Sequence, residues 1–171
     1  MARITVNTTG TQPVLLITTD TANCNIANGT MGANILSVTC LQDITITNST
    51  GIYAYTDFCS TDMNKLTTPA DNEISVNVVI DDTVWFGNSS YSPNTAAPYY
   101  GVGTLSQRKE DIVFKLVMNS SNVSGNANNA YYYMGQGYIS SLAPTVNPEA
   151  PVWVSPLSIA VDGTMYAGKN P

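Results

Sequence analysis

The sequence predicts an all-β domain, mainly antiparallel, built as a β-sandwich or barrel with one short helix and long loops. Three observations predict it. Apolar and polar residues alternate with period two through residues 43–47, 73–80 and 111–118, the spacing that turns one face of a strand toward a core. Gly, Pro, Asn and Asp punctuate these runs at short intervals, as turns between strands require. No strand–helix–strand rhythm of the kind that builds a parallel sheet is present. A length of 171 residues suits a single domain, 1–171, large enough to bury roughly 70% of the surface its unfolded chain exposes.

In chain order, Val14-Leu15-Leu16-Ile17-Thr18-Thr19 is a short apolar run between Pro13 and Asp20 and is expected to be a strand. Residues 20–34 are polar and turn-rich, hence a loop, and 35–41 form the next strand. Residues 43–47 and 52–56 flank Asn48-Ser49-Thr50-Gly51 and predict a hairpin. The only expected helix is 57–66: Ser60 or Thr61 caps it, Asp62 lies in its first turn, and Thr67-Thr68-Pro69 ends it. Phe58, Met63 and Leu66 would form its packing side. Residues 73–86 predict the longest strand, with Ile74, Val76, Val78 and Ile80 inward. Residues 87–104, carrying Pro93, Pro98, Tyr91, Tyr99 and Tyr100, predict a long loop, and loops of that length in compact domains are usually functional. Residues 111–118 alternate again, with Ile112, Phe114, Leu116 and Met118 inward and Lys115 outward. A polar loop, 120–130, leads to two closing strands, Tyr131 to Ser141 and Val152 to Gly163. Gly135 and Gly137 would let another backbone approach the first of these closely. The elements sum to about nine strands.

Composition narrows the function. Charged residues make up 11% of the chain, against about 25% in ordinary domains. Strand edges are usually protected by charge, so exposed edges here are free to pair with other chains. A net charge of −6 argues against a protein that binds nucleic acid by neutralising phosphates. The chain has no histidine, which removes Ser-His-Asp, Cys-His and His-metal sites. Asp81 and Asp82 would point to opposite faces of a strand, and Asp71 and Glu73 mark a solvated strand entrance. Neither pair makes a glycosidase constellation. A calcium corner from Asp71, Glu73, Asp81 and Asp82 lacks any calcium-loop pattern. Gly101-Val102-Gly103-Thr104 lacks the helix and lysine of a phosphate loop. No enzyme activity, cofactor or metal is therefore expected. Cys24, Cys40 and Cys59 are expected as reduced, mostly buried thiols. The six Asn-x-Ser/Thr sequons read as chance in an Asn- and Ser-rich chain. No run is apolar enough to span a bilayer or serve as a leader, and a full-length cytosolic product without membrane contact is the expectation.

The pattern and order of the closing strands, above all Gly135-Gln136-Gly137-Tyr138-Ile139-Ser140-Ser141 followed by Val152 to Gly163, resemble the end of the tail-tube proteins of long-tailed bacteriophages. The preceding order is similar too: an N-terminal strand pair, a hairpin, the Asp57-Phe58-Cys59-Ser60-Thr61-Asp62 segment, a long alternating strand and a large loop. The resemblance implies a homo-oligomeric virion protein without catalytic residues, made in the host cytoplasm and assembled into stacked, hexameric rings. Its partners would be further copies of itself and other tail proteins (sheath or terminator, tape measure), with DNA passing through transiently. On that analogy, 43–56 and 73–86 would line the lumen, with Asp43, Glu73 and Asp81 as its acidic residues. The loop 88–104 would join ring to ring, and Tyr91, Tyr99, Tyr100 and Tyr132 would be subunit contacts. A capsid decoration or cement protein, and a carbohydrate- or receptor-binding sandwich using Trp85 and Trp153 as a platform, are the alternatives.

Overall fold

A computed structural model describes residues 12–55, 63–87, 100–120, 130–146, 148–149 and 152–170. Among these, seven strands form one antiparallel sheet in the order β2-β1-β5-β6-β7-β4-β3. They are β1 (Gln12–Thr18), β2 (Leu36–Val38), β3 (Leu41–Tyr55), β4 (Asn64–Val79), β5 (Ile112–Ser120), β6 (Tyr131–Leu142) and β7 (Val154–Lys169), with two short helices, α1 (Asp82–Phe86) and α2 (Val102–Arg108). The edge strands β2 and β3 are consecutive in the chain, joined by Thr39 and Cys40 alone. Three Cα–Cα steps reach at most about 11 Å, so the two edges lie close and the sheet must roll up. Cys40 turns that corner in the left-handed region, at φ 58°. The mainly antiparallel β-class predicted from alternation is the class observed, rolled as an open barrel.

One face of every strand turns into the roll. Leu15 and Ile17 of β1, Ile74 and Val76 of β4, Phe114 and Leu116 of β5, and Leu157 and Ile159 of β7 meet there, and Trp85 of α1 with Leu105 of α2 closes one end. Of the expected inward sets, Ile74, Val76 and Val78 and Ile112, Phe114 and Leu116 are buried, while Ile80 and Met118 are half-buried against the core. Lys115 is a correction. It is 4% exposed, because β1, β5 and β6 are covered on their second face as well. Val14, Leu16, Val113, Val117, Tyr132 and Met134 form a second, smaller core beneath Cys24, Ile26 and Met31. The loop 20–34 is therefore a cover. Thr18 Oγ1 donates to the Ala33 carbonyl at 2.6 Å, and Asp20 Oδ2 accepts from the Ala33 N–H at 2.8 Å. The Ala33 N–H, and then the Asn23 amide, hold the Asp20 carboxyl below its ordinary value of 3.8. That contribution to stability is present above pH 3.8 and is lost as pH falls through the lowered value.

Further expectations change. Residues 57–62 of the expected helix lie outside the described set, and Asn64 to Leu66 are strand, with Leu66 opposite Tyr53. Pro69 ends no helix. It lies within β4, where the register with β3 shifts between Ser49 and Gly51, the kind of irregularity that tolerates proline in a sheet. The anticipated Asn48–Gly51 turn is absent for the same reason: β3 is one 15-residue strand. Residues 82–86 are helical because the Asp81 side chain accepts from the N–H groups of Thr83 (3.0 Å) and Val84 (3.2 Å), a helix cap in place of a strand residue. The loop expected over 87–104 gives way at Val102 to α2, while 88–99, like most of the expected 120–130 loop, lie outside the described residues.

The expected close approach at Gly137 is present: a Cβ there would collide with the Ala160 carbonyl of β7. We predict that Gly137→Ala forces β6 from β7 and costs about 1–3 kcal/mol, the range for overpacking a tight contact. Urea denaturation of the soluble subunit measures it, and Ser140→Ala, on the exposed side of the same strand, is the control.

Candidate assembly surfaces

The sheet is covered on both faces at β1, β5 and β6, but among the described residues no second layer covers the outer face of β3, β4 and β7. Register fixes what it displays. Thr47 lies opposite Glu73, and Glu73 opposite Ala160; Thr45 lies opposite Ser75, and Ser75 opposite Ser158. Ala160 in turn lies opposite Tyr138 of β6, and Asp162 opposite Gln136. Asn77 Nδ2 donates to Asp43 Oδ2 at 3.1 Å, and Ser158 Oγ to Ser75 Oγ at 3.3 Å. The face is a lawn of hydroxyls and amides with four exposed carboxylates, Asp43, Asp71, Glu73 and Asp162. No lysine or arginine occurs in 41–55, 71–79, 136–142 or 154–162.

The predicted acidic set divides. Asp43 and Glu73 are exposed on this face, Asp81 caps α1 off the sheet, and Asp162 joins the face without having been singled out. Of the tyrosines expected at contacts, Tyr91 and Tyr99 lie outside the described residues. Tyr100 and Tyr132 are each 6% exposed, Tyr100 against Arg108 and Tyr132 under Lys115 at 5.0 and 4.4 Å from the ring centroids. Both serve packing within the subunit. Trp85 is likewise in the core, which removes half of the proposed sugar platform. Among the cysteines, Cys24 is half-buried, with its thiol pushed up by burial, and Cys40 is exposed, contrary to the expectation of buried thiols. Cys59 lies outside the described residues. The Gly101–Thr104 stretch does open a helix, but one of only seven residues. Among the described residues no group of three or more His, Cys, Asp or Glu is placed to hold a metal ion, and no helix is long and apolar enough to cross a membrane.

Three further features escaped the sequence reading. First, β3 is an edge strand along its whole length, and its 15 residues include one charge and no proline. It lacks the lysine and proline that normally discourage strand addition, and its irregularities are the two register shifts with β4. On β6 the pairing with β5 stops at Gly137, and among the described residues no strand pairs with Tyr138 to Leu142 on that side, although α2 packs against β6. Second, β4 pairs with β7 only from Asn72 onward, so Asn64–Asp71 and Ser49–Tyr55 leave the barrel as a two-stranded arm. Two-stranded ribbons are marginal alone, and this one exposes Ile52 (63%), Tyr53, Leu66 and Met63. Third, at the opposite end of β4, Ile80, Asp82, Phe86, Val152 and Trp153 line a groove of about 310 Å³. Phe86 is 63% and Trp153 47% exposed.

No protein-family model matches the chain, and no curated protein matches it by sequence. Solved structures do. A chain in the tail of an empty gene transfer agent particle, a helical assembly of C6 symmetry, superposes with a TM-score of 0.56 at 14% identity, covering 90% of this chain and 95% of that one. A chain in the virion of the native gene transfer agent particle gives 0.54 at 12% identity with the same coverage. In fold, the chain is similar to these two tail and virion chains.

Proposed function

We propose that this chain is a structural subunit of a virion tail, assembling into rings, hexameric by analogy with the C6 tail, that stack into a tube for DNA passage. The observation that carries this reading is the naked sheet face of β3, β4 and β7. A polar face with carboxylates and no cation needs neither a second layer nor a ligand, and it suits the wall of an aqueous channel. Phosphates passing it meet small neutral groups and repulsive charge, effective within a Debye length of about 8 Å at physiological salt. The unprotected β3 edge supplies the lateral joint. Paired with the open Tyr138–Leu142 edge of the next copy, it would extend the sheet around a closed barrel, the arrangement that leaves no edges. Sheath, terminator and tape-measure proteins are the expected further partners, and the mechanism needs no catalysis.

Negative-stain electron microscopy of the purified protein, with sedimentation velocity across a concentration series, tests this. Rings or open-ended tubes with a central hole are the expected result. A persistent monomer or a compact trimer at high concentration would refute the tube and favour a decoration module.

A further inference from the structure

The tip of the 20–34 cover holds the chain's single Asn-Gly pair, Asn28-Gly29. Asn25 and Thr30 bridge antiparallel, each N–H donating to the other's carbonyl at 2.9 Å. Residues 26–29 turn between them, and the Gly29 N–H donates to the Ile26 carbonyl at 3.2 Å. Asn28 is exposed and Gly29 buried. The Asn28 N–H donates to Asn25 Oδ1 at 3.1 Å, but among the described residues no hydrogen bond holds its side-chain amide. Gly29 stands in the left-handed region at φ 72°, and a Cβ there would fall on the Tyr132 hydroxyl. Its carbonyl accepts from Lys115 Nζ at 2.8 Å.

An Asn-Gly pair released from such a turn can close on itself. The Gly29 nitrogen attacks Asn28 Cγ, and glycine has no Cβ to obstruct the approach. The bond from Cγ to Nδ2 breaks, and Nδ2 leaves as ammonia with the proton that Gly29 gives up. Water then opens the resulting succinimide at either carbonyl. Opening at Cγ leaves an aspartate; opening at the main-chain carbonyl leaves an isoaspartate, whose backbone runs through Cβ and Cγ and is one atom longer. Ammonia leaves, water enters, nothing is oxidised or reduced, and the chain gains a negative charge.

The fold gates this step. Attack requires the Gly29 nitrogen to swing toward Asn28 Cγ, and in the closed turn that nitrogen is bonded to Ile26. The same swing pulls the Gly29 carbonyl from Lys115 and moves Gly29 against Tyr132. The reaction must therefore wait for a local opening of the tip. We infer that Asn28-Gly29 is a site of spontaneous deamidation that reacts only when the tip of the cover lifts from Lys115, and that isoaspartate at position 28 leaves the tip unlatched. The change is one-way. A backbone lengthened by one atom no longer brings the Gly29 carbonyl to Lys115 while Gly29 lies against the Tyr132 hydroxyl.

The test ages the full chain in mildly alkaline buffer, folded and in urea. Position 28 is followed by peptide mass mapping and by enzymatic labelling of isoaspartate. Asn28 should convert ahead of the other asparagines, and more slowly in the folded chain than in urea. The slowing should match the protection of the Gly29 N–H against hydrogen exchange, since the nitrogen that exchanges is the one that attacks. Lys115→Met, folded by circular dichroism, should convert about tenfold faster or more than the folded wild type, because it removes a charged hydrogen bond from Gly29. In the wild type, Lys115 should become open to an amine-acylating reagent in the isoaspartate fraction alone. Asn28→Ser, which cannot form the ring, should keep Lys115 shielded after the same ageing. The gate is overturned if the folded chain converts as fast as in urea or not at all, or if folded Lys115→Met converts no faster than wild type. Should that variant not fold, a mismatch between the slowing and the Gly29 protection overturns the gate. A Lys115 as shielded in the isoaspartate fraction as before ageing overturns the latch.

Discussion

Trp85→Ala is expected to destabilise the subunit by about 3–5 kcal/mol, the range for deleting a large aromatic side chain from a core. Trp85 is the single buried residue of α1, a helix of five residues held by the Asp81 cap and by what it packs on. A helix that short has almost no intrinsic stability. Its position depends on Trp85 meeting Val102 and Leu105 of α2 in the main core. The fit is tight on the backbone side as well, because a Cβ at Gly101 would strike the Trp85 carbonyl. Removing the indole therefore opens a cavity at one end of the barrel and loosens both helices that plug it. For a chain of this size the cost corresponds to a fall in Tm of about 6–20 °C. Urea denaturation followed by far-UV circular dichroism measures it, and a change under about 1 kcal/mol would mean that the plug does not support the barrel. Trp153→Ala, at the exposed groove, should cost under about 1 kcal/mol in the same assay. The pair separates a packing tryptophan from a surface one, which composition alone cannot do.

How much of this was legible follows from which interactions are local. Ile74, Val76 and Val78, and Ile112, Phe114 and Leu116, declare their inward faces because alternation is written every second residue. Gly137 declared a close approach because a glycine in a strand interior has few other reasons to be there. Asp81-Asp82-Thr83 with Gly87 after it is a legible helix cap and stop, but the alternation of Ile74, Val76, Val78 and Ile80 outweighs it and carries the expected strand on to Phe86. The reverse occurred at 64–69, where Leu66 and Pro69 read as the end of a helix. Asn64 to Thr68 are strand only because β3 lies alongside, a contact across a chain reversal that no local pattern records. The lawn of Thr45, Thr47, Glu73, Ser75 and Ser158 is plain in composition, yet that its strands lie side by side, with no covering layer among the described residues, depends on sheet order. Lys115 failed for the plainest reason: a charge in an alternating strand faces water unless something distant covers it, and residues 20–34 do.

That covered lysine yields the second large effect. Lys115 Nζ donates to the Gly29 carbonyl at 2.8 Å and to Asn170 Oδ1 at 2.9 Å, and stands 4.4 Å from the Tyr132 ring centroid. It ties the cover, the chain's last described residue and β6 to β5, and Asn170 is itself held by its N–H to the Ala130 carbonyl at 2.8 Å. Lys115→Ala removes the buried stem and leaves two acceptors without their donor, at about 2–4 kcal/mol from the unmade hydrogen bonds and the lost cation–π contact. No carboxylate is among its hydrogen-bond partners, and burial pushes its pKa below the ordinary 10.5. The sign follows from proton counting. Between the lowered folded value and 10.5 the unfolded chain binds more protons than the folded one, so stability rises with pH through that window. Below the window the cost of burying the charge is fully present; above it, the cost is gone. Denaturation of the wild type and of Lys115→Met at pH 7, 8, 9 and 9.5 isolates the effect, because the variant differs from the wild type only in that side chain. The wild type should gain on the variant as pH rises. A constant difference would mean that Lys115 keeps its ordinary pKa, and that water or an anion reaches it beneath the cover.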